Sequence, residues 1–182
     1  MPYIDILIEL ASLHILKGAD FIHQLKRLTQ LNIFKPVEGE KDIYMAEGSH
    51  REDIHLLIDA ARKAVLQGNK VYILPNPKEI RTADFIFENK GVYKMYDLKT
   101  IHGKSSVINR LTESIGQTNH VLLNMTTDYN ARLLAKNIIT YFTINPLALE
   151  VMIFKGTKSI IVKRSAALDK DFVKKFMFIY YK

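Results

Sequence analysis

The stretch Ala83-Asp84-Phe85-Ile86-Phe87-Glu88-Asn89-Lys90-Gly91-Val92-Tyr93-Lys94-Met95-Tyr96-Asp97-Leu98-Lys99 decides how this chain is read. Two runs rich in aromatic and apolar residues flank the turn signal Asn89-Lys90-Gly91, a pattern that predicts a β-hairpin. With Lys90-Gly91 at the tip, Ile86 faces Met95 and Asp84 faces Asp97. Side chains alternate along a strand, so Lys99 shares the face of Asp97. One face then carries two carboxylates and a lysine beside Ile86 and Met95. Like charges set opposite one another weaken a sheet, and burying acids is costly without a partner. A hard divalent cation, Mg²⁺ first and Mn²⁺ or Zn²⁺ as alternatives, supplies the missing charge. The expectation is a metal-dependent nuclease site.

Composition sets the limits. At 182 residues, 48% apolar and 25% charged, the chain has the make-up of a folded globular protein with a real core rather than a disordered one. The absence of cysteine excludes disulfides and thiolate metal sites, so a metal here must be held by oxygen or histidine nitrogen. Residues 4–16 are apolar, but Asp5, Glu9 and His14 interrupt them and no basic leader precedes them. They read as an amphipathic core helix, not as a signal peptide or a membrane span. There are 26 basic and 19 acidic residues, a net +7. From Lys155 onward eight basic residues stand against two acidic ones, and a basic tail of this kind fits a phosphate-rich partner or, more plainly, a solvated surface.

Outward from the hairpin, the pattern alternates between helix and strand. Residues 4–30 predict one or two helices broken by Gly18, and residues 35–49, with Pro36, Gly39 and Gly48, read as loop or linker. A helix comes next over about residues 52–67, with Leu57, Ala61 and Val65 inward and Gly68 as its stop. Residues 71–74 form a short buried strand before the hairpin. After it come a helix over 105–117, a strand over 121–124, a helix over 128–142, strands over 149–154 and 159–163, and a closing helix over 169–180. This order predicts an α/β fold with a mixed sheet.

The order α-β-β-β-α-β, with Asp84 ahead of Asp97-x-Lys99, resembles the restriction-endonuclease-like superfamily and its Asp…Asp/Glu-x-Lys motif. More narrowly, Gly68-Asn69-Lys70-Val71-Tyr72-Ile73-Leu74-Pro75, Ala83-Asp84, Asp97-Leu98-Lys99-Thr100, Ser105-Ser106 and Gln117 look like the C-terminal toxin domain of CdiA-type contact-dependent growth inhibition proteins, a family of tRNA nucleases. The resemblance covers roughly residues 53–124. It implies a restriction-endonuclease-like core and says nothing about the first fifty residues; with the apolar spacing of residues 4–30, the chain reads as a helical N-terminal extension over 1–34 and a nuclease-like α/β domain over 35–182 with α/β additions at its C-terminal end. It also implies a bacterial toxin acting on tRNA in the cytoplasm, delivered as part of a larger secreted or phage-encoded protein and covered by a cognate immunity protein. A DNA endonuclease of the same fold and a non-catalytic nucleic-acid-binding protein of a phage or mobile element are the alternative readings.

In this reading Asp84 and Asp97 are metal ligands and Lys99 stabilises charge developing on phosphorus. The bland reading makes them solvated strand residues, with Asp97 paired to Lys99 or Lys94. Relatives often add an acid from the first core helix, and Asp53 is the residue placed to serve, or else a first-turn acid favourable to the helix dipole. His102 and Lys104, in the loop past the second strand, are candidates to contact phosphate or move a proton. Ser105 and Ser106 read as an N-cap pair, Gln117 as polar surface at a helix end, and His14, His23, His50, His55 and His120 as histidines without metal-ligand spacing.

Overall fold

The computed structural model describes residues 3–47, 52–77, 80–103 and 105–182. The chain divides into two compact units, Met1–Leu98 with Gly116–Thr118, and Lys99–Ile115 with Asn119–Lys182. Each unit is α/β, with a mixed set of strands.

The first unit opens with helices α1 (Tyr3–Ser12) and α2 (Gly18–Thr29), separated by a 3₁₀ turn at Leu13–Ile15. Then come strands β1 (Phe34–Pro36) and β2 (Ile43–Ala46), helix α3 (Ile54–Leu66), and strands β3 (Lys70–Ile73), β4 (Phe85–Asn89) and β5 (Val92–Ile101). β1 pairs antiparallel with β2, β2 runs parallel to β3 across the α3 crossover, and β3, β4 and β5 pair antiparallel. α3 buries Leu57, Ala60, Ala61 and Ala64, the spacing of one helix face. It stops where Gly68 takes a φ of +89°, the left-handed conformation of a helix C-terminus. The helices α1 and α2 are part of this unit's core: Ile6, Leu10, Leu13, Leu25 and Leu28 pack with Leu74, Ile86 and Met95. An ion pair between Arg27 and Glu9 links the two helices on the outside.

The second unit holds helix α4 (Val107–Thr112), strand β6 (His120–Met125), helix α5 (Ala131–Ile144), strands β7 (Glu150–Lys155) and β8 (Lys158–Lys163), and helices α6 (Arg164–Ala167) and α7 (Phe172–Tyr181). Here too a helix, α5, carries the chain between two parallel strands, β6 and β7, and β8 returns antiparallel to β7. Val121, Leu123, Val151, Ile153, Ile160 and Val162 face Leu134, Ile138 and Phe142 of α5 and Phe172, Phe176 and Tyr180 of α7 in one core.

Three segments differ from the sequence expectation. Residues 35–49, read as a loop, contain β1's last residues and all of β2. Pro36 is tolerated because, among the described residues, β1 pairs with β2 alone, and at an edge strand a missing N–H costs no ladder bond. The helix expected over 105–117 ends at Thr112. Beyond it Gln117 and Thr118 are buried, and Thr118 Oγ1 donates to the Met95 carbonyl at 2.8 Å. The closing helix expected over 169–180 starts only at Phe172, after a separate short helix over Arg164–Ala167; between them the Asp169 carboxylate accepts from the Asp171 amide at 2.9 Å, a local bond that competes with helix continuation.

The hairpin turn gives a direct test. Lys90 and Gly91 sit at φ +51° and +79°, and no atom lies within 4 Å of a Cβ placed on Gly91. Gly91→Ala therefore costs backbone strain alone, about 1 kcal/mol, whereas Lys90→Asn raises stability, because asparagine accepts the left-handed region. Urea denaturation midpoints measure both signs.

Candidate active site on strands β4 and β5

Positive φ at two successive residues is the signature of a type I′ turn, and it sets the register Ile86↔Met95 and Phe85↔Tyr96. The expected hairpin register is the observed one. Ile86 and Met95 lie side by side against the α1 and α2 helices in the first core.

Beyond Phe85 the ladder gives way to a different arrangement around Asp84. Its N–H donates to the Tyr96 carbonyl at 3.0 Å and its C=O accepts from the Leu74 N–H at 2.8 Å. Its carboxylate Oδ2 accepts from the Leu98 N–H at 2.7 Å. Asp84 is thus bonded to the residues on either side of Asp97. Since the Leu98 nitrogen is joined to Asp97 through one peptide bond, bond lengths place Asp84 Oδ2 within about 5.5 Å of the Asp97 Cα. Strict opposition of the two aspartates, the sequence expectation, is replaced by Asp84 reaching both neighbours of Asp97, Tyr96 through its backbone N–H and Leu98 through its carboxylate.

Burial distinguishes this arrangement from a solvated surface. Asp97 is 2% exposed and Lys99 8% exposed, and Asp84 is half-buried. Taking a carboxylate out of water costs several kcal/mol unless opposite charge and hydrogen bonds compensate. Asp97 and Lys99 both lie on β5. They stand two residues apart on one strand, which directs their side chains to one side of it.

The remaining sequence candidates lie elsewhere on the chain. Asp53 is the exposed N-cap of α3, not a residue within the helix. Its carbonyl accepts from the Leu56 and Leu57 amides, and its carboxylate makes no capping bond. His102 is exposed in the loop after β5, and Lys104 lies outside the described residues. Thr126 Oγ1 donates its single hydrogen to the Ile101 carbonyl at 2.7 Å, so at 2.9 Å from His102 Nδ1 it accepts. That assigns the ring hydrogen of neutral His102 to Nδ1 and leaves Nε2 as the basic nitrogen. Ser106 caps α4 through the Asn109 amide, as expected, while Ser105 Oγ closes the loop on the His102 carbonyl at 2.6 Å.

Two features were not legible as chemistry. Gln117, read as polar surface, is 7% exposed and belongs to the first unit; its place in the family resemblance was the available signal. In the second unit His120 and Glu150 are register partners on β6 and β7, both buried. Alternation along the two strands was their only sequence signal. Among the described residues no three histidine, aspartate or glutamate side chains converge as a metal cluster.

Comparison with protein-family models, with curated proteins and with solved structures finds no match to this chain.

Asp84 has a structural load that separates its variants. Asp84→Ala leaves the buried Leu98 N–H without its acceptor and costs about 1–3 kcal/mol, while Asp84→Asn keeps an acceptor oxygen and most of that stability. Urea denaturation in EDTA compares them, and equal losses for the two substitutions contradict the assignment.

Proposed function

We propose that this chain is a metal-dependent endonuclease, with tRNA as its favoured substrate. The observation that carries the proposal is Asp84 bonded to both neighbours of a buried Asp97. Two hard carboxylate oxygens from adjacent strands suit Mg²⁺, which keeps several waters and takes only one or two carboxylates beside substrate phosphate. Asp84 and Asp97 are the residues that would hold it. When bound, such a cation polarises the phosphoryl oxygen and lowers the pKa of a water.

The chain's own residues supply the rest. Lys99 stabilises negative charge that grows on phosphorus, most effectively where water is scarce. Phosphate binding is assigned to a cleft of about 460 Å³ between α5 and α7, where Arg132, Lys170 and Lys174 meet around the single acid Asp171. Other tail cations have structural work. Arg164 donates to the Phe142 and Asn145 carbonyls at 2.7 and 3.0 Å, and Lys155 and Lys158 donate to the Tyr180 and Ile179 carbonyls.

The preference for tRNA rests on the resemblance to CdiA-type toxin domains, as do delivery as part of a larger protein, action in a target cytoplasm and a covering immunity protein. No described helix is long and apolar enough to cross a membrane.

Incubation of the purified protein with total tRNA and with plasmid DNA, each with Mg²⁺, Mn²⁺, Zn²⁺ or EDTA, tests the activity. The expected result is tRNA cleavage that EDTA abolishes and that Asp97→Asn and Asp84→Asn each reduce at least about a hundredfold. Cleavage of plasmid alone transfers the proposal to DNA, and undiminished cleavage by either variant contradicts it.

Binding and chemistry separate in a second experiment. Changing Arg132, Lys170 and Lys174 together to Gln weakens tRNA binding and reduces the slope of log affinity against log salt by about 2 to 3. Lys99→Met lowers kcat more than it changes affinity, because its charge acts on the transition state. Filter binding across a salt series and single-turnover cleavage give the two readings.

A further inference from the structure

Helix α7 has two sides of different character. Phe172, Phe176 and Tyr180 are buried in the second unit's core, which leaves the opposite side of the helix to solvent. From Phe172 to Lys182 the chain carries three lysines and no acidic side chain. Lys174, Phe178 and Lys182 follow one another at intervals of four, a spacing that sets them in one column along the helix. At 1.5 Å per residue the column is about 12 Å long. All three residues are exposed, Phe178 at 69%, and Tyr181, three positions after Phe178, is 63% exposed.

The cations of this column are not spent on acids. Lys175, beside it, is the lysine of α7 that pairs with Asp169, at 3.1 Å. Lys182 Nζ stands 5.8 Å from the centroid of the Phe178 ring, a cation–π distance that does not use up the three N–H donors of the ammonium. Lys174 lines the cleft it shares with Arg132 and Lys170, so that cleft and the outward column are continuous. Tyr181 is held in place, its hydroxyl accepting from the Ala131 N–H at 3.4 Å and its ring edge-on to Tyr180 at 5.6 Å. A ring already fixed loses little freedom when something stacks on it.

We propose that this face of α7 is a stacking platform for an unpaired segment of the RNA substrate. Bases lie on Phe178 and Tyr181, and the phosphates beside them meet Lys174 and follow it into the cleft with Arg132 and Lys170. The proposal rests on the reading of that cleft as a phosphate site, and not on the metal chemistry. Stacking on an aromatic side chain tolerates any base, because every base has a π-face, but it needs bases outside a duplex. Folded RNA offers these in its loops, bulges and ends. A lipid surface also attracts lysines and aromatics, yet an interfacial helix buries a continuous apolar face in the bilayer, and that face of α7 is already inside the core. Outward, rings and cations are interleaved, as bases and phosphates are in a single strand.

Binding measured in EDTA tests the platform apart from cleavage. The probes are an unstructured single-stranded RNA dodecamer, its duplex, the DNA strand of the same sequence, and vesicles of phosphatidylserine with phosphatidylcholine. The single-stranded RNA should bind most tightly and shift the Phe178 ring resonances. Phe178→Leu, which keeps apolar bulk at an exposed position, should weaken that strand at least about fivefold and leave the duplex unchanged, while Phe178→Tyr keeps native affinity. Changing Arg132, Lys170 and Lys174 together to Gln should weaken strand and duplex alike. Native single-strand affinity in Phe178→Leu beside a weakened triple variant would remove the platform and leave the phosphate cleft standing. Native affinity in the triple variant contradicts the cleft itself, and with it the path of the strand. Tighter binding of the duplex or of the DNA strand, no binding of single-stranded RNA, or vesicle binding that Phe178→Leu abolishes while RNA binding is untouched would also overturn the proposal.

Discussion

The left-handed backbone at Lys90 and Gly91 fixes which residue of β4 meets which residue of β5, and both the first unit's core and the placement of the acids depend on it. Side-chain direction repeats every two residues, so a slip of one position would move Ile86 and Met95 off the helical face and carry the acids with them. With the register set, the apolar pair meets α1 and α2. The aspartates then fall where the hairpin ends, at the border of the packed face. There Asp84 leaves the ladder and spends its carboxylate on a backbone amide of β5. Rigidity at the acids is therefore inherited from the turn and from the core behind it, as a precisely held ligand pair requires.

Electrostatics sharpens the functional reading. An exposed aspartate on a strand needs no explanation, but a carboxylate 2% exposed beside the backbone contacts of a second one does. Folded chains tolerate such an arrangement when a cation or hydrogen bonds answer the charge. The basic residues, one feature in the sequence, resolve into two sets: Arg132, Lys170 and Lys174 share a cleft, whereas Lys155, Lys158 and Arg164 donate to backbone carbonyls at helix ends.

The strong signals in the sequence were those with local physical causes. The turn, the α3 face with Gly68 beyond it, and the strand-helix-strand run through β6, α5 and β7 arise from φ constraints and apolar periodicity. β1 and β2 were not legible, because strands of three and four residues show no alternation and form only through pairing partners far along the chain. The early end of α4 and the burial of Gln117 are tertiary effects of the same kind. At the candidate site, alternation placed Asp97 and Lys99 on one side of β5. The hydrogen bonds that wrap Asp84 around Asp97 arise where the ladder breaks, and no periodic pattern encodes that.

Titration of the metal-free protein with Mn²⁺, monitored by electron paramagnetic resonance, examines the pair of aspartates without any assumption about substrate. The metal-site reading predicts a saturable site that Mg²⁺ displaces and that Asp97→Asn removes in a protein whose urea midpoint shows it folded. Saturable Mn²⁺ binding that persists unchanged in folded Asp97→Asn, or its absence from the native protein, contradicts that reading.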